Sequence, residues 1–183
     1  PYGNAEQDAY GWRGRITCFP ASGRAGSPDG TAEIRSGIST FSNRADGYRR
    51  MVLHYAALAF QAGGVDAFLI GSELRGLTSL RDGADAFPFV EELVRLAADV
   101  RAIVGSQTKL TYGADWSEYF GYHPADGLGD VFFNLDPLWA SPDIDAVGID
   151  NYMPLSDWRD EDAVNGNPDG MTGPDDAAAF GRS

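Results

Sequence analysis

The chain has 183 residues, of which 43% are hydrophobic, a composition typical of a folded globular protein. It carries 27 Asp and Glu against 14 Lys and Arg, and the formal net charge of −13 repels phosphates, so nucleic-acid binding is not expected. No apolar run reaches the roughly 18 residues of a membrane span, and "PYGNAEQDAY" at the N-terminus lacks the pattern of a signal peptide.

The first part of the chain predicts one strand, one loop and one helix. Residues 13–19, "RGRITCF", predict a short strand, and the Gly, Pro and Ser of residues 20–30 predict a loop. Apolar residues at helical spacing predict a helix within residues 42–64, which Gly63 and Gly64 end. Its apolar stripe consists of Tyr48, Met51, Val52, Tyr55, Leu58, Ala59 and Ala62.

Helices and strands then alternate. Short apolar runs at residues 66–72, 108–114 and 144–150 predict strands that are buried on both faces. Residues 87–105 predict a helix, with Pro88 in its first turn, and a short helix is predicted around Pro137–Ala140. This alternation indicates an α/β fold with a parallel sheet and right-handed crossovers.

The composition changes near the C-terminus, where Asp, Gly, Asn and Pro dominate. We therefore predict one domain over residues 1–158 and a surface loop or poorly ordered segment over residues 159–183. The spacing of polar residues from Asn165 to Asp176 loosely resembles a calcium-binding loop. Its first position holds Asn instead of Asp, its twelfth position holds Asp instead of Glu, and Pro168 interrupts it. No metal site is predicted.

Each of the three predicted strands ends in an acid. Glu73 follows the first strand, Asp115 and Trp116 follow the second, and the third ends in Asp150, Asn151 and Tyr152. Because the carboxyl ends of parallel strands meet at one edge of the sheet, where α/β proteins bind their ligands, these side chains are expected to share one site.

A structural role is the alternative for each acid, since an acid after a strand often caps the next helix or fixes a loop. For Glu73 the functional interpretation is favoured. Glu is a poorer N-cap than Asp or Ser, and "LRGLTSLRDG" shows no helical pattern directly after it.

Aromatic residues near the same edge favour a sugar ligand, because flat rings stack on the apolar faces of pyranoses. Trp116, Trp139, Tyr152 and Trp158 lie in these segments, and His123 lies on a loop at the same edge. Core packing is the alternative for each ring.

Four segments carry a resemblance to a known family: "WRGRITC", "YRRMVLHYAALAFQAGGVDAFLIGSELRGLT", "TYGADWSEYFGY" and "DVFFNLDPLWASPDIDAVGIDNYMPLSDWRD". They resemble the TIM-barrel-like domain of gene transfer agent and phage tail proteins, the large baseplate or host-specificity proteins. That domain is in turn similar to retaining glycoside hydrolases built on a (β/α)8 barrel.

The resemblance implies a catalytic acid/base and a sugar site. In such hydrolases a Glu follows the fourth strand in a Gly-x-Glu context, which "IGSEL" matches at Glu73. Asp115, Trp116, Trp139, Asp150, Asn151 and Tyr152 would bind the sugar. The nucleophile would be a second Glu after strand seven, a segment that this sequence lacks, so the chain is expected to be the incomplete central part of a barrel. The mechanism implies no metal or organic cofactor.

Two functions remain open. The first is hydrolysis of a cell-envelope polysaccharide or peptidoglycan glycan by a tail-tip protein, made in the bacterial cytoplasm and assembled with other tail proteins, in several copies. The second is a structural or glycan-binding module without catalysis, in which Arg75 would neutralise Glu73.

Overall fold

The computed structural model describes residues 16–83, 85–124, 127–151, 159, 161–167, 170 and 172–173. Contacts divide the chain into two units, residues 1–151 and 152–183. None of the described helices is long and apolar enough to cross a membrane. The elements are, in order, α1 (Glu33–Asn43), α2 (Tyr48–Gln61), β1 (Ala67–Ser72), α3 (Arg75–Thr78), α4 (Pro88–Val104), β2 (Lys109–Asp115), α5 (Trp116–Tyr119), α6 (Asp136–Trp139), β3 (Gly148–Asp150) and α7 (Asp162–Asn165).

The three strands form one parallel sheet in the order β1-β2-β3. Phe68 pairs with Leu110, and Gly113 pairs with Gly148. The sheet stays open within the described residues, so the predicted α/β fold, the central part of a barrel with parallel strands, is confirmed as a partial barrel.

One face of the sheet carries the hydrophobic core. Leu110, Tyr112 and Ala114 alternate along β2 and are fully buried. The same core cluster includes buried residues of α1, α2 and α4, of which α4 contributes the most. Pro88 starts α4 and Gly105 ends it with a φ of 77°, as the sequence predicts.

The prediction that all three strands are buried on both faces is wrong. Leu69 of β1 is 51% exposed, because it points away from the helices and no described element covers that face. Ile149 of β3 is 39% exposed at the sheet edge. β3 is also shorter than predicted.

Two predictions before β1 also need correction. Ile16–Phe19 form no strand, because no described strand pairs with them. The sequence reading missed α1, whose buried residues Ile34, Ile38 and Ser42 recur every four positions.

The predicted long helix is shorter and buries a narrower stripe than expected. It begins at Tyr48, after a turn in which the Gly47 amide donates to the carbonyl of Arg44 at 2.8 Å. Val52 and Ala56 face the core. In contrast Met51, Tyr55 and Leu58 are 50%, 59% and 44% exposed.

Arg101 ties together the amino ends of β2 and β3. Its guanidinium donates to the carbonyl of Thr108 at 2.6 Å and to the Asp145 carboxylate at 2.5 Å. Asp145 Oδ2 also accepts the Leu110 amide at 2.8 Å. The hydrogen bond from the Leu110 amide, followed by that from Arg101, lowers the pKa of Asp145 to about 2. The two strands are therefore held in register from the end opposite to the acids.

Close strand contact at Gly148 provides a test of this sheet. A Cβ atom there would lie 2.4 Å from the Tyr112 carbonyl oxygen, so Gly148→Ala should lower the free energy of unfolding by about 2 kcal/mol or more. Gly37→Ala is the matched control, because Gly37 lies inside α1 with open space around it and should gain roughly 0.5–1 kcal/mol. Urea unfolding of both variants measures the difference, and equal midpoints would refute the register.

Candidate functional site

The carboxyl ends of the three strands meet at one edge of the sheet, as predicted. Ser72 pairs with Gly113, and Asp115 pairs with Asp150. All three strands end in the pattern Gly-x-acid, at Glu73, Asp115 and Asp150. The parallel register therefore brings the two aspartates side by side and delivers Glu73 to the same edge.

Glu73 adopts a costly backbone conformation. Its φ of 54° lies in the left-handed region, and among the described residues no other non-glycine has a positive φ. The pairing of β1 with β2 shifts between Leu69 and Ser72, just before this residue, and the Glu73 amide donates to the Gly113 carbonyl at 2.8 Å. The residue is only 8% exposed. Such strain, of order 1–3 kcal/mol, concentrates at functional sites.

Asp115 caps α5, the structural alternative that the sequence left open. Its Oδ1 atom accepts the Ser117 amide at 2.8 Å and the Ser117 hydroxyl at 2.5 Å. The residue is fully buried. Asp115 therefore fixes the turn between β2 and α5, and a role in ligand binding remains a prediction.

Asp150 is linked to β1 across the middle strand. The Ser72 hydroxyl donates to Asp150 Oδ2 at 2.7 Å. This bond passes over Gly113, where a Cβ atom would lie 2.9 Å from the same oxygen. The absence of a side chain at Gly113 thus lets the outer strands contact each other. Asn151 follows at an exposed position.

The predicted sugar-binding aromatics fall into different surroundings. Trp116 is half-buried, with its ring centroid 6.2 Å from that of Phe120. Trp139 packs beside the core, 6.2 Å from the ring of Tyr112. Tyr152 and Trp158 lie outside the described residues.

The sequence reading missed Glu118, a buried carboxyl group on α5 that is 5% exposed. It accepts the Thr78 hydroxyl at 2.5 Å, the Asp115 amide at 2.8 Å and the Tyr112 hydroxyl at 3.2 Å. It therefore connects β2 with the short helices that follow β1 and β2. The Asp-x-x-Glu spacing of a capping box, from Asp115 to Glu118, was the available signal.

Burial raises the pKa of Glu118 to about 7, and the hydrogen bonds from Thr78, Asp115 and Tyr112 oppose this shift only in part. Burial and the nearby Glu118 likewise raise the pKa of Tyr112. A carboxyl group with a pKa near neutrality can both donate and accept a proton at physiological pH.

The short helix α3 corrects the sequence reading of the segment after Glu73, where no helix was expected. Its first residue, Arg75, is exposed. Leu74 is its N-cap, and no side chain caps it, so Glu73 is not a capping residue.

Within the described residues, no three His, Cys, Asp or Glu side chains are grouped so as to hold a metal.

Glu118→Gln tests the buried carboxyl through the pH dependence of stability. Between pH 4.5 and 7 the unfolded chain ionises Glu118 while the folded protein keeps its proton, so wild-type stability falls with rising pH, by up to about 3 kcal/mol from this residue. The free energy of unfolding of the Gln variant should lack this fall between low and high pH. Urea unfolding of both proteins at pH 4.5 and 8 measures the difference. Parallel pH profiles would show that Glu118 has an ordinary pKa.

The comparisons with known proteins agree with this geometry at the level of the family. A model of the GTA TIM-barrel-like domain matches residues 46–182, well over half of the chain. Searches of the curated proteins and of the solved structures found no match. The match spans all three strands and the acids at their ends, and the chain therefore belongs to the family of gene transfer agent TIM-barrel-like domains.

Proposed function

We propose that this domain acts on a glycan of the bacterial cell envelope, as a glycoside-hydrolase-like part of a gene transfer agent tail or baseplate protein. The observation that carries the proposal is Glu73, a buried carboxyl residue held in a left-handed conformation at the shared edge of three parallel strands. Glycine would adopt this conformation without steric cost, so a glutamate at this position points to a role for its carboxyl group.

Glu73 is assigned the role of general acid/base. It would protonate the glycosidic oxygen as the bond breaks and then take a proton from the attacking water. Retention of configuration requires a second carboxyl group about 5–5.5 Å away as the nucleophile. By the resemblance to glycoside hydrolases, this nucleophile would be a second Glu after the seventh strand of the barrel.

The remaining residues of the edge would hold the sugar. Asp150 and Asn151 offer oxygen atoms to hydroxyl groups, and Trp116 offers part of a ring face. Asp115, which is fully buried, would support the sugar site through the cap that it forms on α5. Polysaccharide or the glycan of peptidoglycan is the substrate class, and the partners are other tail proteins in an assembly with several copies.

A non-catalytic module is the second candidate, and one observation favours it. At least three of the four acids near this edge already bind protein groups: Asp115 caps α5, Glu118 accepts three donors from the protein, and Asp150 accepts the Ser72 hydroxyl. An edge whose acids mainly support the fold would suit a structural or glycan-binding role in the tail tip.

Glu73→Gln in the full-length protein separates these candidates. Loss of the general acid should reduce release of reducing ends from purified envelope glycan by about 10²–10⁴-fold, with folding retained. Glu91→Gln is the matched control, because Glu91 pairs with Arg35 on the surface and should leave the rate unchanged. Wild-type turnover in Glu73→Gln would remove Glu73 from the mechanism. Glycan binding without cleavage by the wild type would establish the binding module.

Glu73→Gly tests whether the strain serves function. Glycine adopts a positive φ without steric cost, so the free energy of unfolding of this variant should be about 1 kcal/mol higher than that of the wild type. Glycan cleavage should be lost. Chemical denaturation measures the first effect and the reducing-end assay the second. Lower stability of the variant would mean that the Glu73 side chain is needed by the fold.

A further inference from the structure

A cavity of about 390 Å³ opens between α3, α5 and the segment that follows α5. This volume lies within the range of small-ligand sites. Its walls include Thr78, Ser79, Ser117, Glu118, Phe120 and His123. His123 was singled out from the sequence at the same edge, whereas the predicted acids Glu73, Asp115 and Asp150 are not among its walls.

The outer wall of the cavity is held in place by its own contacts. Tyr122 and Phe132 form an antiparallel bridge with two backbone hydrogen bonds of 2.8 and 2.9 Å. The Arg81 guanidinium lies 5.6 and 5.4 Å from these two rings. The Asn134 amide donates to the Thr78 carbonyl at 2.8 Å. A preformed wall lowers the entropic cost of binding a ligand.

The chemistry of the lining combines a flat apolar surface with hydroxyl and carboxyl groups. Phe120 is 47% exposed, with the His123 ring 6.1 Å away at 68°. Ser79 and Ser117 supply hydroxyl oxygens, and Glu118 supplies a carboxyl group at the bottom. A pyranose ring has the complementary surface, since one face is apolar C–H and the rim carries hydroxyl groups.

Charge favours a neutral ligand over an anion. The chain has a net charge of −13, and Glu118 places an acid in the cavity wall. The net charge repels a polyanion, and in the cavity wall the acid Glu118 accompanies the base Arg75, so the lining carries no excess of positive charge that would attract one. A fully apolar ligand could not donate hydrogen bonds to the hydroxyl oxygens of Ser79 and Ser117.

The cavity adjoins the acids at the strand ends. Ser117 lines it and donates its hydroxyl to Asp115 Oδ1 at 2.5 Å. Its wall also includes Arg75, two residues after Glu73. We propose that this cavity is a subsite that holds a neutral pyranose unit of the glycan chain, next to the unit at Glu73. The inference rests on the glycan substrate proposed above, but it does not require cleavage.

Binding of short oligosaccharides tests the subsite. The full-length protein carrying Glu73→Gln, which keeps the ligand intact, is titrated calorimetrically with the trisaccharides of N-acetylglucosamine and of glucose. Adding Phe120→Ala removes the stacking surface and should raise Kd about tenfold for the trisaccharide that binds. Adding Phe60→Ala is the matched control, because Phe60 is 61% exposed on α2, away from the cavity, and Kd should stay within about twofold.

Folding of the Phe120→Ala variant is checked by urea unfolding, and Ser79→Ala provides a second, milder change that should raise Kd about threefold. An unchanged Kd in both variants overturns the subsite, as does absence of binding of either trisaccharide.

The outcomes also separate this inference from the proposed hydrolase. Binding that depends on Phe120 without hydrolysis by the wild type supports the subsite and refutes only the hydrolase. Hydrolysis with the same KM in wild type and Phe120→Ala refutes only the subsite.

Discussion

Parallel pairing of three neighbouring strands is the constraint on which the candidate site depends. Because β1, β2 and β3 run in the same direction, their carboxyl ends share one edge, and the register sets Asp115 beside Asp150. The pairing is close enough that glycine is needed where strands or side chains cross: Gly148 faces a Tyr112 carbonyl, and Gly113 lies beneath the bond between Ser72 and Asp150. Displacement of one strand by a single residue would turn its acid to the opposite face.

The acids at this edge have unequal surroundings, and this inequality matters more than their number. Asp115 and Glu118 receive hydrogen bonds that fix the start of α5 and its contact with α3. Asp150 is bound by Ser72. Glu73 differs, because its backbone has a positive φ of 54°, which is strained for a residue other than glycine. The supporting acids thus give the edge its shape, while Glu73 is placed there at an energetic cost.

The fold was largely predictable because its signals are local and periodic. The stripe of α4 and the apolar runs of β1 and β2 follow from residue spacing alone. Exposure of Leu69 was not predictable, since burial of a strand face depends on which other segments cover it. At the site, the position of the acids at one edge of the sheet could be predicted, because it depends only on the parallel direction of the strands. The cap at Asp115, the raised pKa of Glu118 and the φ of Glu73 did not, because they depend on tertiary contacts and on an irregular register.

A crystal structure of the full-length protein with an uncleaved oligosaccharide would show whether the strand ends form the sugar site. We expect a glycosidic oxygen within hydrogen-bonding distance, about 3 Å, of the side chain at position 73, with Asp150 and Asn151 directed at hydroxyl groups of the same ligand. A sugar bound away from the carboxyl ends of the strands, or a Glu73 side chain separated from the sugar by other protein groups, would refute the assignment of Glu73.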